Sequence, residues 1–135
     1  MRQVEYAIDR IYKYPYTTVM KQAETFRILS DETRLRALAL ISQEGELCVC
    51  ELVTALELSQ PKISRHLGAL RDSGLVAARR DAQWVFYGPN PALPDWQQQV
   101  ISGALNGIRD EPILKQDKTR LTRMLDRPQR CNTGD

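Results

Sequence analysis

Apolar residues recur at helical spacing through most of the chain, and punctuating residues divide the pattern into short elements. A first helix is expected over Val19 to Leu29. Ser30-Asp31-Glu32 can cap a second, with Thr33 to Ser42 as its body and Leu35, Leu38 and Ala39 on its inner face. Glu44-Gly45 should end it, because glycine accepts the left-handed backbone that helix ends favour. Leu47 to Val49 reads as an extended lead-in to a third helix over Cys50 to Glu57, with Leu52, Val53 and Leu56 turned inward. Leu58-Ser59 makes a turn. Ser59 suits an N-cap and Pro61 the first turn of a fourth helix over Gln60 to Ser73, since the missing N–H of proline has no partner there anyway. Ile63, Leu67 and Leu70 recur at i, i+4, i+7 and dock that helix on the core, and Gly74 closes it.

The period then changes. Val76 to Arg80 and Trp84 to Tyr87 are strand-like runs around Asp81-Ala82-Gln83, a hairpin signature ended by Gly88-Pro89-Asn90-Pro91. Asp95 can cap a long helix whose apolar positions are Trp96, Val100, Ile101 and Leu105. Gly107 or Pro112 should break it, and Ile113, Leu114, Leu121, Met124 and Leu125 suggest a last helical segment. At the other end, Val4, Ala7, Ile8 and Ile11 have helical spacing before Pro15 interrupts. The division expected is an N-terminal extension over 1–19, a DNA-binding domain over 20–90, C-terminal dimerisation helices over 91–126 and a flexible polar tail over 127–135.

Helix, short turn, helix and hairpin is the order of a winged helix-turn-helix. The fold class expected is mainly α with a small β-hairpin, and dimeric. A helix fits the major groove, and side chains on its N-terminal half reach base edges. Ser59, Gln60, Lys62, Ser64, Arg65 and His66 occupy that half or its cap, and Arg79, Arg80 and Gln83 would reach the DNA from the hairpin. The whole chain carries only +2. From Ser59 to Asn90, however, five basic residues face two acidic ones, a local net of +3. The apolar stripe from Trp96 to Leu105 lies outside the minimal reading module, and a second subunit can cover it.

Two thiols sit in the run Glu46-Leu47-Cys48-Val49-Cys50-Glu51-Leu52. Residues two apart share a side in extended backbone. Cys48 in the lead-in and Cys50 at the helix start can therefore converge on one soft atom, thiolates being ligands for As(III), Sb(III), Cd(II), Pb(II), Cu(I) and Zn(II). A disulfide between residues so close is strained, which ranks a redox switch lower. Cys131 is distant, and closing so long a loop costs entropy, so it reads as a surface thiol before a ligand. The single histidine, His66, lies on the reading helix. No membrane-length apolar run, secretory signal, phosphate loop or hydrolytic motif appears. A cytoplasmic location is expected, with no membrane partner, no enzymatic activity and no obligate cofactor.

Phe26 to Leu35 resembles the opening of the ArsR/SmtB metal-sensing repressors. Ser59-Gln60-Pro61-Lys62-Ile63-Ser64-Arg65-His66-Leu67 resembles their recognition helix, Ser73-Gly74-Leu75-Val76 the start of their wing, and Glu46 to Leu52 the arsenical-resistance operon repressors in particular. The resemblance covers about residues 20 to 105. It implies a homodimer on double-stranded operator DNA with an imperfect inverted repeat, released by As(III) or Sb(III) as inducer. In the best-known arsenical repressors the position of Val53 is a third cysteine, so this chain departs from the pattern there. A thiol redox sensor or a Cd/Pb sensor of the same fold is the alternative. Relatives that sense cadmium or lead add N-terminal cysteines, and residues 1–47 here contain none.

Overall fold

A computed structural model describes residues 20–128. The N-terminal stripe from Val4 to Ile11 and Cys131 lie outside the described residues. Six helices and three strands follow in the order α1 (Lys21–Leu29), α2 (Glu32–Glu44), β1 (Leu47–Cys48), α3 (Val49–Leu56), α4 (Gln60–Asp72), β2 (Val76–Asp81), β3 (Trp84–Pro89), α5 (Asp95–Ile108) and α6 (Pro112–Arg123). None of these helices is long and apolar enough to cross a membrane.

Local chemistry sets the boundaries. Asp31 caps α2, its carboxylate accepting the Arg34 N–H at 3.0 Å. Gly45 ends that helix at φ 91, in the left-handed region, and returns its N–H to Ile41. Ser59 caps α4 through the Lys62 N–H at 3.3 Å, with Pro61 in the first turn. Among the ends that differ from expectation, two are cap positions. The helix α3 starts one residue early, at Val49, which makes Cys48 its N-cap. Asp95 is the first residue of α5, and Pro94 holds the cap position.

The wing is a three-stranded antiparallel sheet in the order β1-β3-β2, where a two-stranded hairpin was expected. Leu47 pairs with Tyr87 and Cys48 with Phe86. The close approach needs Gly88: a Cβ there would lie 2.9 Å from the Gly45 carbonyl oxygen. The lead-in to α3 is thus hydrogen-bonded into the base of the wing.

Ile41, Leu47, Leu52, Ile63, Leu67, Leu70, Leu75, Phe86 and Leu121 are the apolar centre, each wholly buried. A leucine so buried contributes about 1.5–3 kcal/mol relative to an exposed one. Leu121 belongs to α6, which folds back on α3 within the same chain. Met124 and Leu125 fall beyond the end of α6, and Leu125 is 98% exposed. Beneath α6 lies a buried ion pair that the apolar pattern could not show. Arg36 donates to both carboxylate oxygens of Asp117, at 2.9 and 2.7 Å, and to the Leu56 carbonyl at 3.0 Å. Arg127 follows α6 and is ion-paired to Glu51 and Glu44, and Pro128 is buried, so the first two residues of the expected tail are docked on the core.

Candidate DNA interface and thiol site

The helix-turn-helix is α3 and α4. Ile63, Leu67 and Leu70 are buried beneath α4, as their spacing predicts. That anchoring leaves Ser59, Gln60, Ser64 and Arg65 exposed and Lys62 partly so, on the face away from the core. His66 turns the other way. Its side chain is buried against Arg34, with Nδ1 3.2 Å from the guanidinium and 3.9 Å from the Asp31 carboxylate. Burial holds its pKa below the ordinary histidine value, against the raising pull of Asp31. The outward orientation expected for His66 is therefore corrected. One helical step from Leu67, it fills the α2–α4 contact.

The hairpin residues divide similarly. Arg80 and Gln83 are exposed near and at the two-residue turn. Arg79 points back toward the base: it grips Glu46 with two bonds at 2.8 and 2.6 Å, reaches Asp81 at 3.4 Å and lies over the Phe86 ring at 5.1 Å. Its guanidinium is engaged within the fold, so Arg80 and Gln83 are the free donors at the wing tip.

Cys48 and Cys50 come together as their spacing predicts. Their sulfurs are 2.7 Å apart, and both thiols are free. Cys48 is buried between β3 and α3, whereas Cys50 is half-exposed at the start of the helix. The Glu51 carboxylate accepts the Cys48 N–H at 2.9 Å, and the Cys48 sulfur faces the Glu51 N–H in return. This is a capping box with sulfur in place of a hydroxyl. Burial, then the hydrogen bond with Cys50, pushes the Cys48 thiol up to about 12. Val53 is partly buried one turn further on, and among the described residues no group of three or more His, Cys, Asp or Glu side chains could hold a metal.

Residues 31–78 match the model of the bacterial regulatory protein family arsR. The chain is 49% identical over 104 residues to the arsenic resistance transcriptional regulator ArsR1 of Pseudomonas putida, covering 77% of this chain and 80% of that one. It is 53% identical over 81 residues to the arsenical resistance operon repressor of Escherichia coli, covering 60% of this chain and 69% of that one. The chain belongs to the ArsR family. Among solved structures it is similar to the homodimeric winged helix-turn-helix DNA-binding domain of a possible ArsR-family transcriptional regulator from Mycobacterium bovis. That likeness has a TM-score of 0.56 at 25% identity and covers 68% of this chain and 82% of that one.

Membership of the ArsR family makes the protein a transcriptional regulator and not an enzyme, and the fold is the winged helix-turn-helix expected. Sequence reasoning missed two residues of the thiol site. Glu51 carried a local signal, since Cys48-x-x-Glu51 has capping-box spacing. Arg127, whose Nε donates to the buried Glu51 carboxylate at 2.6 Å, carried none.

Proposed function

We propose that this ArsR-family protein is a transcriptional repressor that binds double-stranded operator DNA as a homodimer. Cys48 and Cys50 take up As(III) or Sb(III) as inducer, and the protein then leaves its imperfect inverted repeat. The observation that carries the reading is the 2.7 Å approach of two free sulfurs at the joint between the wing and the helix-turn-helix. Cys48 ends β1, which is paired to the wing through Phe86, and caps α3, which braces α4 through Leu52 and Leu56. Two sulfurs each bonded at about 2.3 Å to one soft atom stand about 3.3–3.8 Å apart at ordinary bond angles. Binding one atom to both sulfurs therefore fixes the geometry of the joint and, with it, the register between α4 and the wing.

A buried, protonated Cys48 also discriminates among inducers. Arsenous and antimonous acids are neutral and carry hydroxides that accept the thiol protons. Cd(II) and Pb(II) must instead expel a proton that burial holds tightly.

The dimer has its own support. The apolar residues of α5, Trp96, Val100, Ile101, Leu105 and Ile108, are all only partly buried, while its one buried residue, Gln97, bonds Thr25 at 3.0 Å and holds α1 alongside. Exposed Met20 and Phe26 extend the apolar surface, and a groove of about 450 Å³ lined by Leu38, Leu75, Leu93, Ile101 and Leu105 opens beside α5.

Gel shift with operator DNA tests the whole. Cys48→Ser/Cys50→Ser protein should hold the operator and ignore arsenite, and Arg65→Ala should lose the operator yet still take up arsenite. Release of DNA from the double-serine protein by arsenite would sink the reading.

A further inference from the structure

The helix α6 lies outside residues 31–78, which carry the family match. Its apolar side is spent within the chain, Leu114 and Leu121 being buried where α6 meets α2 and α3. Its outer side is polar and of one sign. Lys115, Gln116, Lys118, Thr119, Thr122 and Arg123 are exposed. The one acidic residue of α6, Asp117, is buried and held by Arg36 and Arg120. Lys118 is paired with Glu44. Lys115 and Arg123 have no ion-pair partner among the described residues. With Thr119 they stand at i, i+4 and i+8, a stripe about 12 Å long on one side of the helix. The preceding helix α5 carries no cation at all, so the charge is confined to α6.

The seat of α6 puts this stripe beside the reading helix. Arg120 donates to the Ala55 carbonyl at 2.7 Å and stands 3.7 Å from the Glu57 carboxylate. Asp117 accepts from Arg36 at 2.7 Å, and Arg36 donates to the Leu56 carbonyl at 3.0 Å. These contacts hold the middle of α6 on the last turn of α3, just before Ser59 and Gln60 open α4. Glu57, exposed at that turn, would repel a phosphate, and Arg120 offsets its charge. Lys115 and Arg123 lie about 7 and 5 Å along the axis from Arg120. A duplex read by α4 continues past this turn, with one backbone charge about every 1.7 Å. No exposed apolar side chain stands between Lys115 and Arg123, so the face suits a charged backbone and not a hydrophobic protein surface.

We propose that the Lys115–Thr119–Arg123 stripe of α6 is a second DNA contact, which grips the phosphate backbone flanking the half-site read by α4 of the same chain. The proposal rests on the reading that the protein binds operator DNA as a homodimer. Lys115 and Arg123 pair with phosphates, and Thr119 between them donates its hydroxyl. The grip carries no sequence information. It adds affinity and fixes how the reading module sits on the duplex.

The test uses the full chain. Its binding site is selected from a random pool of duplexes and prepared in two lengths, one cut at the ends of the inverted repeat and one with about ten further base pairs of arbitrary sequence on each side. Fluorescence anisotropy then gives affinity for each across a series of salt concentrations. The parent should bind the long duplex about tenfold more tightly than the short one, or better. On the long duplex, Lys115→Gln/Arg123→Gln should lose about 3.6 from the slope of log affinity against log salt, four phosphate contacts per dimer at about 0.9 each. It should bind both lengths alike and still prefer the parent's sequence. Lys115→Arg/Arg123→Lys keeps the charges and should restore both the slope and the preference for length. A parent indifferent to length, or a glutamine variant with the parent's slope, overturns the proposal and leaves the operator reading standing. Selection of no duplex by the parent overturns the underlying reading instead.

Discussion

The protonation of Cys48 makes a quantitative demand on inducer binding. Burial and the contact with Cys50 push its thiol up to about 12, so it holds its proton throughout the neutral range. The sign follows from the raised value: the neutral form persists as pH rises, and ionisation begins only near the folded pKa. Arsenous acid is neutral in the same range, and each thiol proton leaves with a metalloid hydroxide as water. No net proton reaches solvent, so its affinity should change less than about twofold between pH 6.5 and 8.0. Cadmium brings no hydroxide to accept the proton. Cys48 alone must then release one proton per ion bound, and affinity should climb about tenfold per pH unit, or about 30-fold across the same window. Equilibrium dialysis of the DNA-free protein at constant ionic strength, with a phosphine reductant and metal read by elemental mass spectrometry, measures both slopes. An arsenite slope as steep as that of cadmium would refute the reasoning, because it would show that a thiol proton goes to solvent.

Two further predictions concern the scaffold. Asp117→Ala should leave Arg36 buried without its partner, at a cost of about 3–5 kcal/mol. Thermal melts at fixed protein concentration should fall by roughly 10–20 °C, and Arg36→Met/Asp117→Leu should recover most of the loss. A single variant that melts with the parent would show that the pair does not hold α6. At the wing tip, Ala82 is held at φ 56 in a two-residue turn. Ala82→Gly should stabilise the fold by about 1 kcal/mol in urea denaturation; no gain would mean that the turn relaxes without strain.

The elements that sequence made legible are those whose cause is local. Ile63, Leu67 and Leu70 dock α4 because their spacing matches one face, and Gly45 ends α2 because the chain needs a left-handed residue there. Cys48 and Cys50 converge because extended backbone leads into the helix between them. The two-residue strand β1 was read only as an extended lead-in, for two residues cannot display an alternation. Its pairing depends on Phe86 and Tyr87, far along the chain. His66 was misread because it stands at the edge of the apolar stripe, where a few tens of degrees decide between solvent and Arg34. The contacts Arg79–Glu46, Arg36–Asp117 and Arg127–Glu51 join residues 33, 81 and 76 positions apart. Each looks like a solvated charge until the fold brings its partner near.

On the proposed reading, those distant pairs bear on how the thiol site would act on DNA binding. The inducer must favour the DNA-free form by only about 1–3 kcal/mol to act as a switch, and by linkage the operator must disfavour inducer by the same factor. A site on an isolated surface loop could bind tightly and shift nothing, because equal affinity for both forms leaves their balance unchanged. Cys48 stands where that equality is hard to keep. It is the last residue of β1, the cap of α3 and the hydrogen-bond partner of Glu51. On that reading, moving its sulfur to share an inducer atom with Cys50 would disturb the Phe86 register on one side and the capping box on the other. Glu51 cannot absorb the motion freely, because Arg127 holds its second oxygen and α6 is fixed in turn by Asp117 on Arg36. The displacement would then be directed toward the less constrained side, the β1–β3 ladder of two residue pairs, and so into the wing. The ion pairs around α6 form the fixed support against which the thiol pair can push.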